Sequence, residues 1–216
     1  MNLEQARFNM VEQQIRPWNV FDEEVLTLLA AVKREEFVLP QYRNIALADV
    51  EIPLPGGQKM LFPRVEARLL QELKLSKRDK VLEIGSGSGY VTAILAKLSD
   101  FVYSVEVNSQ NKDFAITNLT RAGIKNASVI EGDGLLGLAS KAPFDKIFIG
   151  GSLPEVPEEI KQQLKVGGHI VAVTGKLPAM HTTLITRISE NSFEEKKLFE
   201  TVIDELIGAY NSQFKL

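Results

Sequence analysis

Between Lys80 and Val173 the chain alternates short apolar runs with longer amphipathic ones. Lys80–Ile84, Phe101–Val105, Ala127–Ile130, Asp145–Ile149 and His169–Val173 are four or five residues long and rich in Val, Ile and Phe, which predicts buried strands. The segments Gly89–Leu98, Asn108 to about Ala122, and Pro157–Leu164 space their apolar residues at helical intervals. Asn108 suits a helix N-cap, and Pro157 stands where a missing N–H costs little. Strands alternating with helices predict a mostly parallel sheet flanked by helices. The pattern changes after residue 180. Thr182–Ile188 and Lys197–Ile203 read as two strands around a polar turn at Glu190-Asn191-Ser192, an antiparallel hairpin at one edge of the sheet.

The first 78 residues follow another pattern. Leu3, Phe8, Val11 and Ile15 predict a helix over 3–16 that Pro17 ends, and Asp22 caps a second carrying Val25, Leu28, Leu29 and Val32. Pro40, Pro53, Pro55, Gly56, Gly57 and Pro63 then interrupt all periodicity over 40–63. Irregular stretches of that length are uncommon in compact chains and often functional, so this one reads as a lid or as a connector. Val65, Leu69, Leu70 and Leu73 mark a third helix whose other face, with Arg64, Glu66, Arg68 and Glu72, reads as solvated. Arg64 and Arg68 share that face and could receive an acidic group. The expected organisation is an N-terminal helical extension with a lid over the site (1–78) and an α/β core (79–216), together one compact unit.

Composition removes several classes of function. With 25 basic and 28 acidic residues there is no electrostatic case for nucleic acid. The absence of Cys excludes disulfides and thiolate chemistry, and two His make an imidazole metal site improbable, so no metal is expected. No apolar run approaches the ~20 residues of a membrane span, and the first residues lack a signal-peptide core. A cytoplasmic protein without membrane or nucleic-acid partners is the expectation; nothing specifies an oligomeric state.

The candidate chemistry lies at Val81-Leu-Glu-Ile-Gly-Ser-Gly-Ser-Gly-Tyr90, a strand running into three alternate glycines and then a helix. Such a turn offers backbone N–H groups to a ligand with no Cβ in the way. A dinucleotide fingerprint needs its third glycine three residues after the second; here residue 90 is Tyr, and the third glycine stands at 89. No Gly-Lys-Ser/Thr follows, so a P-loop is excluded. A nucleoside without a diphosphate remains. Glu106 ends the next strand, 21 residues after Gly85, where a carboxylate can accept from ribose hydroxyls. Gly132-Asp133-Gly134 follows the third strand and would place a carboxylate beside the base, while Glu83 could orient the loop or meet a cationic group. The ligand these positions suit is S-adenosylmethionine. The candidate cofactor residues are Glu83, Gly85, Ser86, Gly87, Gly89, Glu106, Val107, Gly132, Asp133 and Gly134.

Glu83-Ile-Gly-Ser-Gly-Ser-Gly89, Glu106, Gly132-Asp-Gly134 and Phe144-Asp-Lys-Ile147 resemble the successive motifs of class I, Rossmann-like S-adenosylmethionine-dependent methyltransferases. Thr92-Ala93, Gln163-Leu-Lys-Val-Gly-Gly168, Lys33-Arg-Glu-Glu-Phe-Val38 and the Pro-Leu-Pro-Gly-Gly-Gln58 stretch narrow the resemblance to protein-L-isoaspartate O-methyltransferases, over about residues 8–175. That resemblance implies methyl transfer to the abnormal carboxylate of isoaspartyl residues in damaged proteins, with an isoaspartyl-containing protein or peptide as partner. The methyl ester then closes to a succinimide that reopens partly to aspartate.

The chain departs from this pattern on the acceptor side. The family's usual serine before its proline aligns with Leu61, which cannot donate a hydrogen bond. Val202-Ile-Asp-Glu-Leu206 replaces a Val-Pro-Leu-type segment with acidic residues that would repel an acidic acceptor. Leu61, Phe62 and Arg64 are the acceptor-side candidates, and no catalytic residue is assigned. The alternatives are a methyltransferase of this scaffold with a small or apolar acceptor, or a non-catalytic nucleoside-binding module.

Overall fold

The computed structural model describes residues 2–210. Helix α1 (Leu3–Asn9) starts at Asn2, whose side chain accepts from the Glu4 and Gln5 N–H groups. The helix predicted over 3–16 does not run through. Met10–Ile15 widens into a π-helical turn and Arg16–Trp18 tightens into a 3-10 turn, burying Met10, Val11 and Ile15 before Asn19 breaks the chain at φ 60°. Helix α2 (Glu23–Ala31) is capped by Asp22 as the sequence predicts.

The irregular stretch holds more order than its composition suggests. A 3-10 turn (Pro40–Ile45) precedes two short antiparallel strands, β1 (Ile52–Pro53) and β2 (Lys59–Met60), which make a strap. Helix α3 (Pro63–Leu73) packs its Val65, Leu69, Leu70 and Leu73 against the sheet.

The core follows as β3 (Lys80–Ile84), α4 (Tyr90–Leu98), β4 (Phe101–Glu106), α5 (Ser109–Arg121), β5 (Ala127–Glu131), β6 (Phe144–Leu153), α6 (Glu158–Lys161), β7 (Leu164–Lys176), β8 (Ala179–Ser189) and β9 (Ser192–Glu200). The seven strands lie in the order β5-β4-β3-β6-β7-β8-β9, with the first five parallel and β8 and β9 antiparallel. Neighbouring residues of a strand face opposite layers: Val81, Phe148 and Val171 join the core beneath α2, α3 and α4, while Leu82, Ile147 and Ile170 join the other. Burial on both faces is why these strands read as unbroken apolar runs.

The antiparallel end differs from expectation in register. Leu164 pairs with Phe144, so the predicted 157–164 helix shortens to α6 and β7 begins early. The hairpin becomes a three-stranded meander, β9 starts at Ser192 rather than Lys197, and residues 201–203 leave the sheet. The outward strand β9 exposes Glu194, Glu195, Lys196 and Lys197.

One buried ion pair joins the N-terminal layer to the core. Glu66, predicted to be solvated, is 2% exposed and pairs with Arg34, which is wholly buried. Arg34 also donates to the Leu61 carbonyl at 2.8 Å and lies over the Tyr90 ring at 5.0 Å. Removing one member of such a pair strands the other, so Arg34→Ala is expected to cost about 3–5 kcal/mol of stability in chemical denaturation.

Candidate functional site

The chain runs from β3 outward to β4 and β5, then returns to lay β6 on the other side of β3. This reversal opens a crevice at the carboxyl ends of the strands, the place where open parallel sheets bind ligands. Counted out to its mouth, the cleft encloses about 940 Å³.

The loop after β3 forms one wall. Gly85 and Gly87 have φ of 89° and 54°, the left-handed region, and both line the cleft. Glu106, at the end of β4 and 5% exposed, holds the loop in place: its carboxylate accepts from the Gly87 N–H at 2.9 Å and from the Asn108 N–H at 3.0 Å. Each oxygen keeps acceptor capacity toward the cleft. Asp133 and Gly134 lie beside it, and Gly134 is required by close approach, since a Cβ there would come within 2.4 Å of Ile84. Of the ten predicted cofactor residues, Gly85, Ser86, Gly87, Glu106, Val107, Asp133 and Gly134 line the cleft together.

Glu83, Gly89 and Gly132 stand outside the lining. Gly89 caps α4 and lets it pack on α5, where a Cβ would meet the Ala115 carbonyl at 3.1 Å. Gly132 donates its N–H to the Glu106 carbonyl at 3.0 Å. Glu83 is wholly buried behind the loop: Ser104 and Thr92 both donate to its Oε2, and Ser86 in turn donates to Ser104. Its Oε1 is buried with no partner among the described residues. Burial outweighs the two hydroxyl donors, and with Glu106 and Glu66 nearby it pushes the Glu83 carboxyl up to about 8. Glu83 therefore anchors the loop from behind and carries a proton at neutral pH.

The strap forms the opposite wall, through Leu54, Gln58, Lys59, Met60 and Leu61. Asn111 of α5 ties it down, accepting from the Gly56 N–H at 2.9 Å and donating to Gln58 Oε1 at 2.8 Å. The segment after β9 closes the third side. It pairs with Ser152 through Asp204 and Leu206, at 2.9 Å each, and presses Leu206 onto Gly151, where a Cβ would clash at 2.9 Å. Lys59 meets Asp204 across the mouth at 3.2 Å. The acidic segment Val202–Leu206 thus borders the cleft, and one of its charges is paired.

Of the acceptor-side candidates only Leu61 lines the cleft. Arg64 is paired with Asp49 and held between the Trp18 and Phe62 rings, 4.5 Å from each. Arg68 pairs with Glu72 and donates to the Trp18 carbonyl at 2.7 Å. Neither arginine is free to take an acidic group. Sequence reasoning missed Glu66, which lines the cleft. The signal was present: Glu66 precedes Leu69, Leu70 and Leu73 at the spacing of the apolar face, where a carboxylate demands a buried partner. The titratable groups lining the cleft are Lys59, Glu66, Glu106, Asp133, Asp204 and Glu205. His169 lies in the middle of β7 against Lys146, held down to about 4 by burial and by that lysine.

The family described as protein-L-isoaspartate(D-aspartate) O-methyltransferase matches residues 5–204. A protein-L-isoaspartate O-methyltransferase of Koribacter versatilis is 36% identical over 202 residues, covering 94% of this chain and 90% of its own. One of Staphylothermus marinus is 35% identical over 216 residues, covering 96% of each. Among solved structures, a Plasmodium falciparum protein of that description, in complex with S-adenosyl-L-homocysteine, superposes with a TM-score of 0.78 at 20% identity, over 95% of this chain and 98% of that one. Another of the same description gives 0.77 at 24% identity, over 94% of this chain and 65% of that one.

Glu83 yields a prediction about stability. A carboxyl raised on folding from 4.5 to about 8 binds its proton more tightly in the folded state. Its contribution is complete below pH 4.5 and drains as pH rises toward 8. Glu83→Gln cannot ionise, so its stability relative to the wild type should improve between pH 5 and 8.5 by more than about 1.4 kcal/mol. Denaturant titrations of both proteins across that range measure the difference directly.

Proposed function

The chain belongs to the protein-L-isoaspartate(D-aspartate) O-methyltransferase family and is an S-adenosylmethionine-dependent O-methyltransferase; we propose that its cleft brings this donor to the carboxylate of isoaspartyl residues in damaged proteins. The observation that carries the reading is the bond from Gly87 N–H to Glu106, which fixes the glycine loop and a carboxylate on the same wall as Asp133. The fit is specific in chemistry. Gly85 and Gly87, without Cβ atoms, allow close approach, Glu106 can accept from a ribose diol, and Asp133 can accept from an exocyclic amine. We assign donor binding to Gly85, Ser86, Gly87, Glu106, Val107, Asp133 and Gly134, with Glu83, Gly89 and Gly132 shaping the loop and its flanks.

When bound, S-adenosylmethionine supplies a methyl group activated by its own sulfonium charge. The acceptor carboxylate is already ionised at neutral pH, so no general base is needed, and no histidine lines the cleft. The chain's work is alignment and exclusion of water. The strap at Leu54–Leu61 and the segment at Asp204–Ile207 cover the crevice from two sides, with Leu54, Met60, Leu61 and Leu206 providing an apolar roof. With Glu66 paired to Arg34, the carboxylates of Glu106, Asp133, Asp204 and Glu205 against one lysine favour a cationic donor in this space.

Two measurements test the reading. Calorimetry should show heat on adding S-adenosylhomocysteine, and Glu106→Ala should weaken binding about ten- to a hundredfold, the value of a hydrogen bond to a charged group. With labelled S-adenosylmethionine, a base-labile methyl ester should form on an isoaspartyl peptide and not on its aspartyl control. Heat without transfer would turn the assignment toward another acceptor.

A further inference from the structure

The cleft's charge suits a cation, yet the acceptor is an anion, and the side chain of Leu61 offers it no donor. Glu66 stands beside Leu61 in a form that can resolve this. It is 2% exposed and lines the cleft, so its carboxyl group is buried but borders the site. Arg34 holds Oε2, and no described residue hydrogen-bonds Oε1. Arg34 also donates to the Leu61 carbonyl at 2.8 Å, which fixes Glu66 and the strap to a single guanidinium.

We propose that Glu66 is the acceptor-recognising residue of this enzyme: carrying a proton, its Oε1 donates a hydrogen bond to the acceptor carboxylate, while Arg34 beside it provides the positive charge that a neutral Glu66 no longer cancels. Binding of the anionic acceptor is therefore accompanied by uptake of one proton from solvent. The inference rests on the isoaspartyl carboxylate being the acceptor.

The surroundings favour that proton. Arg34, from the turn Arg34–Glu36, is the cation in direct contact. Glu83 of β3 and Tyr90 of α4 also interact electrostatically with Glu66. Glu35 and Arg7 form a second pair beside Tyr90. From the walls the cleft adds Lys59, Glu106, Asp133, Asp204 and Glu205. Burial pushes Glu66 up to about 7 against the pull of Arg34, so a small further bias from a bound anion completes protonation. The raised carboxyl holds its proton below about 7 and loses it above, which sets the direction of the effect.

The test is titration of an isoaspartyl peptide into enzyme saturated with S-adenosylhomocysteine, at pH 6 to 9. Wild-type affinity should fall about tenfold per pH unit above 7. Glu66→Gln keeps an acceptor for Arg34 and presents an amide donor that never titrates, so its affinity should not vary with pH. Heat on adding S-adenosylhomocysteine establishes that each protein is folded. The same contrast is expected in kcat/KM for methyl transfer, counting ester together with released methanol. A wild-type affinity flat across this range, or a Glu66→Gln profile that falls in parallel, would overturn the proposal and leave the donor site standing. A wild type that binds S-adenosylhomocysteine but neither binds nor methylates the isoaspartyl peptide would overturn the acceptor assignment, and this proposal with it.

Discussion

The wall of the cleft that carries Leu61 and Glu66 depends on one buried guanidinium. Arg34 reaches from the N-terminal layer to a carboxylate on α3, a carbonyl at the end of the strap and the face of Tyr90 on α4. A charge taken wholly out of water is tolerated only when it is paired and hydrogen-bonded. Once Arg34 is placed there, the helix, the strap and the start of α4 must meet around it. The N-terminal residues are thus more than a support for the sheet, because they position one wall of the cleft.

The wall formed by the glycine loop rests on different physics. A parallel sheet that reverses its strand order leaves a crevice, and the chain lines it with backbone rather than with reactive side chains. Glu83, buried and protonated, supports the loop through Ser104 and Ser86, while Glu106 supports it from the front. Burial with only two hydroxyl donors raises the Glu83 carboxyl, while Glu106 spends its oxygens on two backbone N–H groups at the edge of the cleft. That division matches a reaction that needs orientation more than acid–base chemistry.

Most of the α/β core was legible in the sequence, since strands buried on both faces and helices with one apolar side leave strong periodic signals. That the glycine loop, Glu106 and Asp133 meet in one cleft was legible for a related reason: residues just past the strand ends gather at the crevice where the strand order reverses. What escaped was set by contacts between distant segments. Glu66 stands at the apolar spacing of its helix, but its partner is identified only once Arg34 lies against it, and Arg64 looks available until Asp49, Trp18 and Phe62 enclose it. The early start of β7 and β9 has the same origin, because pairing partners rather than local propensity decide where a strand begins.

The outer strand β9 has a meaning for the company this enzyme keeps. A strand at a sheet margin exposes unpaired backbone groups and can recruit any extended chain nearby. With Glu194, Glu195, Lys196 and Lys197 exposed in a row, β9 dresses its margin in charges of both signs. Such charges discourage a further chain from pairing along this margin, so the sheet ends at β9 instead of growing by edge-to-edge association.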